Sequence, residues 1–285
     1  MPGPLAPNEF DGVLGKNAPE KSENAYFAQN LRRIGSGPAA TGPIDLIVLA
    51  GGRGSRLGGA VKPAVEVAGR TLLSRVLDAR TLARRVVIVG PASARSAAGP
   101  EATGALWALE DPPFGGPVAG IAAGLAALAR SVPAPASEAG PAPASTAPVP
   151  AEWLLVLACD LPWAAAAAGT LVAALADQAL ADRAGTNTSG TDALDGLHLS
   201  DPDGHPQWLA GLYRASALRN AAARLGPRAD GASMRALLAG LRLVGVADET
   251  GSGRDVDTWE DVEWSTALLS GPSPISTTPP RSETE

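Results

Sequence analysis

Residues 44–63 read IDLIVLAGGRGSRLGGAVKP. The first seven are apolar except for Asp45, the length and character of a strand buried on both faces. A glycine cluster follows with no spacer. Glycines let backbone N–H groups close on an anion and permit positive φ. Arg53, Arg56 and Lys62 add positive charge where a triphosphate needs it. Lys62 is the only lysine outside the first 43 residues. Buried strand, glycines and cations together read as a phosphate-binding loop, with Gly51, Gly52, Arg56 and Lys62 among its contacts. Two better-known phosphate loops are excluded. A P-loop needs a Gly-Lys pair, and none occurs in this loop. A dinucleotide fingerprint needs an acid at the end of the second strand, but residues 86–90 (VVIVG) run into Pro91.

Outward from this loop, strand-like and helix-like stretches alternate. A helix is expected over 71–84, a strand over 86–90, a short strand over 105–109 and a helix over 116–130. A strand over 152–158 and a helix over 167–182 follow. Strands over 197–199 and 207–213 flank the turn Asp201-Pro202-Asp203-Gly204. Helices over 215–225 and 232–240, a strand over 241–246 and a helix over 258–269 close the pattern. Such alternation predicts an α/β domain, a single mostly parallel twisted sheet with helices on both faces, whose ligands sit at the carboxyl ends of the strands. The domain is expected over 44–269. A Pro/Ala/Ser-rich insertion over 131–150 is too poor in core residues to pack. The composition of 1–43 and of 270–285 reads as a disordered leader and a disordered tail.

The 285 residues are 45% hydrophobic, enough for a real core, and carry a net charge of −6 with a pI near 5.1. An acidic chain without a basic stripe argues against nucleic acid as a partner. Cys159 is the only cysteine, so no internal disulfide or CxxC metal site exists, which fits a reducing cytoplasm. The N-terminus lacks the pattern of a signal peptide. Residues 153–176 are apolar and long enough to span a bilayer, but Asp160 and Pro162 interrupt them; strand, turn and helix explain them better, and no membrane partner is expected. His198 and His205 give no support to a histidine metal site or a catalytic triad.

Three further segments carry chemistry. Asp160, in Cys159-Asp160-Leu161-Pro162, falls just past a buried strand, where ligands bind. Cys159 beside it reads as a small buried apolar residue. In Asp255-Val256-Asp257-Thr258-Trp259-Glu260-Asp261, Thr258 and Asp261 have the spacing of a helix cap, which leaves Asp257 to turn toward the sheet edge. Asp160 and Asp257 could then hold one Mg²⁺, with waters and phosphate oxygens completing its shell. The segment from Glu110 to Gly120, which links a strand to a helix, reads as a pocket wall, with Asp111 bonding the base or ribose. Trp208 and Tyr213 read as core.

Taken together, these segments resemble the molybdenum cofactor guanylyltransferases, within the nucleotidyltransferase superfamily of glycosyltransferase-A-like fold. The Leu-Ala-Gly-Gly loop, with its Ser-Arg and final lysine, is matched by Leu49 to Lys62. An acid followed by Gly-Pro-Leu-Ala-Gly is matched by Asp111 and Gly116-Pro117-Val118-Ala119-Gly120. Cys159-Asp160-Leu161-Pro162, Gln207 to Tyr213 and Asp255 to Asp261 match later segments in the same order. This resemblance implies transfer of GMP from GTP to the phosphate of molybdopterin, with Mg²⁺ as cofactor; cytidylyltransferases acting on the same cofactor share the first and third segments, so a cytidylyl- or sugar-phosphate nucleotidyltransferase on the same scaffold is the alternative. It implies GTP contacts at Leu49, Ala50, Gly51, Lys62, Asp111 and Asp160, with Asp160 a Mg²⁺ ligand. Three positions depart from the pattern: Val61 replaces an acid, Trp259 a proline, and Val89-Gly90 a polar residue.

Overall fold

Strand β1 (Ile44–Leu49) is buried at every position because it has neighbours on both edges and helices over both faces. It pairs in parallel with β4 (Arg85–Val89) on one side and β6 (Trp153–Ala158) on the other. The computed structural model describes residues 42–51, 57–131, 150–183 and 194–270. Within them, β5 (Leu106–Ala108), β7 (Gly196–Ser200), β8 (Pro206–Arg214) and β9 (Leu243–Ala247) complete a seven-stranded sheet of order β5-β4-β1-β6-β8-β7-β9. Only β8 runs against the rest. From β1 the chain builds outward through β4 and β5, then crosses back to β6. The switch point lies between β1 and β6, at whose carboxyl ends such sheets bind ligands.

Alternation along β1 divides the core in two. Ile44, Leu46 and Val48 face one layer with α1 (Leu72–Val76) and α3 (Ala164–Arg183). Ile47 and Leu49 face the other, with α2 (Gly116–Arg130), α4 (Ala215–Leu225) and α5 (Met234–Leu238). Helix α2 lies very close to β1: a Cβ on Gly124 would meet Ile47 Cγ2 at 2.9 Å. A third, smaller core joins Leu57, Val65, Val67 and Leu72 to Val256 and Val262 of the C-terminal segment and α6 (Trp259–Ser270).

Helices 116–130 and 215–225 have the expected bounds, and the apolar run at 153–176 is a strand, a turn and the start of α3. No helix among the described residues is long and apolar enough to cross a membrane. Over 71–84 the expected helix is only the single turn of α1, followed by a 3₁₀ stretch at Leu77–Leu82. Ahead of it stands an unforeseen hairpin, β2 (Glu66–Val67) with β3 (Arg70–Thr71), turning through Ala68 and Gly69 at φ 47° and 72°. Positive φ at both turn residues is the geometry of a type I′ two-residue hairpin turn. The expectations for 1–41, for 132–149 and for the tail beyond 270 lie outside the described residues.

Candidate active site

The carboxyl ends of β1 and β6 meet side by side: Leu49 pairs with Ala158, and Cys159 N–H donates to Leu49 O at 3.0 Å. Asp160 thus emerges at the switch point. Its backbone oxygen accepts from Val256 N–H at 2.9 Å, which docks the distant segment 255–257 against it. Val256 is fully buried in the third core. Asp255 and Asp257, one residue to each side of it, come together with Asp160: one oxygen from each of the three carboxylates lies within 4.8 Å of the others.

Two devices fix this segment. Upstream, buried Asp248 accepts from Ser252 N–H and Oγ–H, both at 2.9 Å, from Gly253 N–H at 2.6 Å and from Thr250 Oγ–H at 3.2 Å. Downstream, Asp261 Oδ2 accepts from Thr258 N–H, Thr258 Oγ–H and Asp257 N–H, while Asp261 N–H donates back to Thr258 Oγ1. This is the reciprocal cap expected from the spacing. Burial pulls Asp261 upward, but these bonds outweigh it and hold the carboxyl below its usual range. Trp163 packs edge-on against Trp264 of α6 at 5.7 Å, and the Arg254 guanidinium lies 4.1 Å from the Trp264 ring centre.

Lys62 opens a 3₁₀ turn, Lys62–Ala64, that the third core carries toward the cluster. Its Nζ donates to Asp257 Oδ1 at 2.5 Å and lies 2.8 Å from Asp160 Oδ2. The side chain is only 11% exposed, far from the solvated lysine of an ordinary glycine-rich turn. Burial opposes its charge, yet Asp160 and Asp257 together hold its pKa above the ordinary lysine value. The Asp255 carboxyl is raised as well, by burial first and then by Asp160 and Asp257, so there the shift disfavours the charged form.

An all-oxygen set of three carboxylates suits a hard divalent cation. Mg²⁺ sits about 2.1 Å from each oxygen, placing ligand oxygens about 3–4 Å apart, so little closure is needed. One ammonium against three carboxylates leaves a formal charge of −2, which one divalent cation would balance.

Beside the cluster lies a cavity of about 390 Å³, walled by Leu49, Val89, Pro117, Gly120 and Leu209, with Asp160 at one part of its lining and Glu110 and Phe114 at another. Leu49 and Gly51 line it, but Ala50 between them does not: it is 1% exposed, and its N–H is spent on Val89 O at 2.7 Å. A Cβ on Gly90 would meet Ala50 O at 2.7 Å, so the polar side chain expected there has no room. Asp111 is exposed and outside the lining; its neighbour Glu110 takes that place, with Oε1 accepting from Phe114 N–H at 3.2 Å. Gly52 and Arg56 lie outside the described residues. Cys159 is buried, which pushes its thiol pKa well up, as an inert apolar residue requires. Tyr213 is fully buried with its hydroxyl on Trp208 O at 2.7 Å.

Sequence reasoning missed Asp255 and Glu110. Asp255 carried a signal: two acids spaced by one buried valine project to the same side of an extended segment. Glu110 carried one too: five residues separate it from Gly116, the spacing between acid and glycine in the segment that the chain resembles, whereas Asp111 is one residue too close.

The family model described as "MobA-like NTP transferase domain" matches residues 46–245. A curated relative from Rhodopseudomonas palustris, named molybdenum cofactor guanylyltransferase, is 36% identical over 122 residues, 41% of this chain and 48% of the relative. The chain thus matches about half the length of that relative. Among solved structures, the fold is similar to 4-diphosphocytidyl-2C-methyl-D-erythritol synthase from Anaerococcus prevotii, with TM-score 0.51, 13% identity, and coverage of 82% of this chain and 100% of that one. It is also similar to 2-C-methyl-D-erythritol 4-phosphate cytidylyltransferase from Thermus thermophilus, with TM-score 0.50, 18% identity, and coverage of 80% and 100%.

Proposed function

Because the chain belongs to the MobA-like NTP transferase domain family, we propose that it transfers GMP from GTP to the phosphate of molybdopterin, releasing pyrophosphate. The observation that carries this reading is the convergence of Lys62, Asp160, Asp255 and Asp257 beside an apolar pocket. The acceptor is taken from the name of the Rhodopseudomonas relative.

An acceptor phosphate oxygen attacks the α-phosphorus in line. The bond from that phosphorus to the bridging oxygen breaks, and pyrophosphate carries away the electron pair. The nucleophile is already ionised, so no general base is needed, and placement and charge neutralisation carry the rate. Asp160 and Asp257, with Asp255 beside them, would hold Mg²⁺, which supplies charge neutralisation to the phosphates. Lys62, released from its two aspartates, donates to phosphate oxygens as charge moves toward the leaving group. Arg56 belongs to the same phosphate-binding role, and the Leu49–Gly51 turn lies beside the nucleotide.

Glu110 supports guanine as the base. A carboxylate only accepts hydrogen bonds. Guanine presents two adjacent donors, N1–H and the 2-amino group, whereas the cytosine amine stands beside a ring acceptor that a carboxylate repels.

The test is pyrophosphate release by the full chain with molybdopterin, Mg²⁺ and each of the four NTPs in turn. Release with GTP alone is expected, and it should vanish with chelator. Preference for CTP would replace the base assignment while keeping the chemistry. Absence of release with every NTP would overturn the proposal.

A further inference from the structure

Phe114 stands in the loop between β5 and α2. Its φ is 69°, a left-handed conformation that bulky side chains avoid, and the ring is 59% exposed, so burial does not offset the strain. Glycine stands at the next two positions and would have cost nothing here. The loop is nevertheless held firmly. Phe114 N–H is bound by Glu110, Gly231 N–H donates to Gly115 O at 2.8 Å, and a Cβ on Gly115 would meet Asp230 Oδ1 at 2.6 Å. These contacts hold Phe114 in the lining of the cavity that also contains Asp160.

We propose that Phe114 is the stacking face for the nucleobase of the bound triphosphate. This rests on the nucleotidyltransferase reading above and divides recognition between two residues of one loop. Every base has a π face, so the ring contributes affinity without choosing among bases. Glu110, meeting the base edge, makes the choice. An exposed aromatic held in a strained backbone is then an investment in binding, repaid when the base covers the ring.

The experiment measures the affinity of the full chain for GTP and CTP with Mg²⁺, and for inorganic tripolyphosphate, which has no base. Phe114→Ala and Phe114→Gly should weaken GTP by about 5- to 150-fold, the range for loss of one base–aromatic stack. CTP, where measurable, should weaken by a similar factor, and tripolyphosphate should not change. Phe114→Trp should stay within about threefold of wild type for GTP. Phe114→Gly should melt no lower than wild type, since it relieves the left-handed strain. GTP affinity within twofold of wild type in both truncated variants would overturn the proposal. Equal weakening of GTP and tripolyphosphate would also overturn it, by assigning Phe114 to loop structure. A wild type that prefers CTP, with the same dependence on Phe114, would refute the guanine assignment and support the stacking role.

Discussion

The ammonium of Lys62 has two tasks that pull in different directions. Without nucleotide it balances Asp160 and Asp257; in the proposed reaction it must face phosphate. Its raised pKa keeps it charged throughout the working range. A raised lysine pKa contributes stability that is fully present below the unfolded value of 10.5 and is lost only as pH rises through the higher native value, so Lys62 gives no pH dependence near neutrality. Asp255 has the opposite sign of effect. Its raised carboxyl pKa means the fold disfavours its charge, a cost absent below the ordinary value of 3.8 and growing as pH rises toward the native value. Two variants should therefore move in opposite directions in metal-free thermal melts at pH 7. Lys62→Ala should lower Tm by leaving three carboxylates uncompensated, and Asp255→Asn should raise it. Both differences should shrink as pH falls and the carboxyls protonate. Turnover should fall in both, by about 10²–10³ for Lys62→Ala if it donates to the developing charge. A Lys62→Ala protein with normal turnover at saturating GTP and Mg²⁺ would remove the residue from the site.

At the scale of elements, the cap on α6 joins fold to site. Asp261 satisfies amides at the helix start, and one of them is the amide of Asp257, whose carboxylate faces Lys62. Asp261→Ala should cost about 1 kcal/mol in urea unfolding, the usual loss for a helix cap. It should also raise the Mg²⁺ concentration for half-maximal activity, because Asp257 is no longer fixed. An unchanged Mg²⁺ requirement would mean the cap serves the helix alone. This cap was legible in the sequence because Thr258 and Asp261 have the required spacing. Helices 116–130 and 215–225 were legible for a similar reason: Pro117 in the first turn and Gly226 just after the end mark boundaries whose physics is local. The hairpin at 66–71 was not legible. Two-residue strands have no periodicity, and Ala68 in a left-handed conformation contradicts its local preference; packing of β2 against α6, with Ala68 N–H donating to Thr266 Oγ1, settles it from 198 residues away. The site divides in the same way. Leu49, Lys62, Asp160 and Asp257 were legible from strand ends and charge, whereas Glu110 depended on its spacing from Gly116 and Asp255 on a core residue between two acids.

Across the whole molecule, charge is sorted along β1. At its carboxyl end lies the Lys62 cluster, with excess negative charge that a divalent cation would balance. Near its amino end, about 13 Å away by strand rise, Asp45 is fully buried and closed. Arg85 grips both Asp45 oxygens, Nη2 to Oδ2 at 2.5 Å and Nε to Oδ1 at 3.2 Å, and Arg84 approaches Oδ1 at 3.5 Å. Through Nη1, Arg85 also donates to Leu128 O and Ser131 Oγ, tying β4 to the end of α2. These contacts knit β1, β4 and α2 together, so the pair at this end of the sheet contributes to stability. Asp45→Asn removes the buried charge that Arg85 was placed to meet, and breaking one side of a buried pair costs about 3–5 kcal/mol. Because Arg85 keeps partial access to water, the lower end of that range is expected in urea unfolding. The folded fraction should keep the KM for GTP and the kcat of wild type, since β1 transmits no change in register to Leu49 while its pairing with β4 and β6 persists. A fall in kcat with unchanged stability would reverse the division, making the buried pair part of the site and leaving the stability of β1 to its apolar faces.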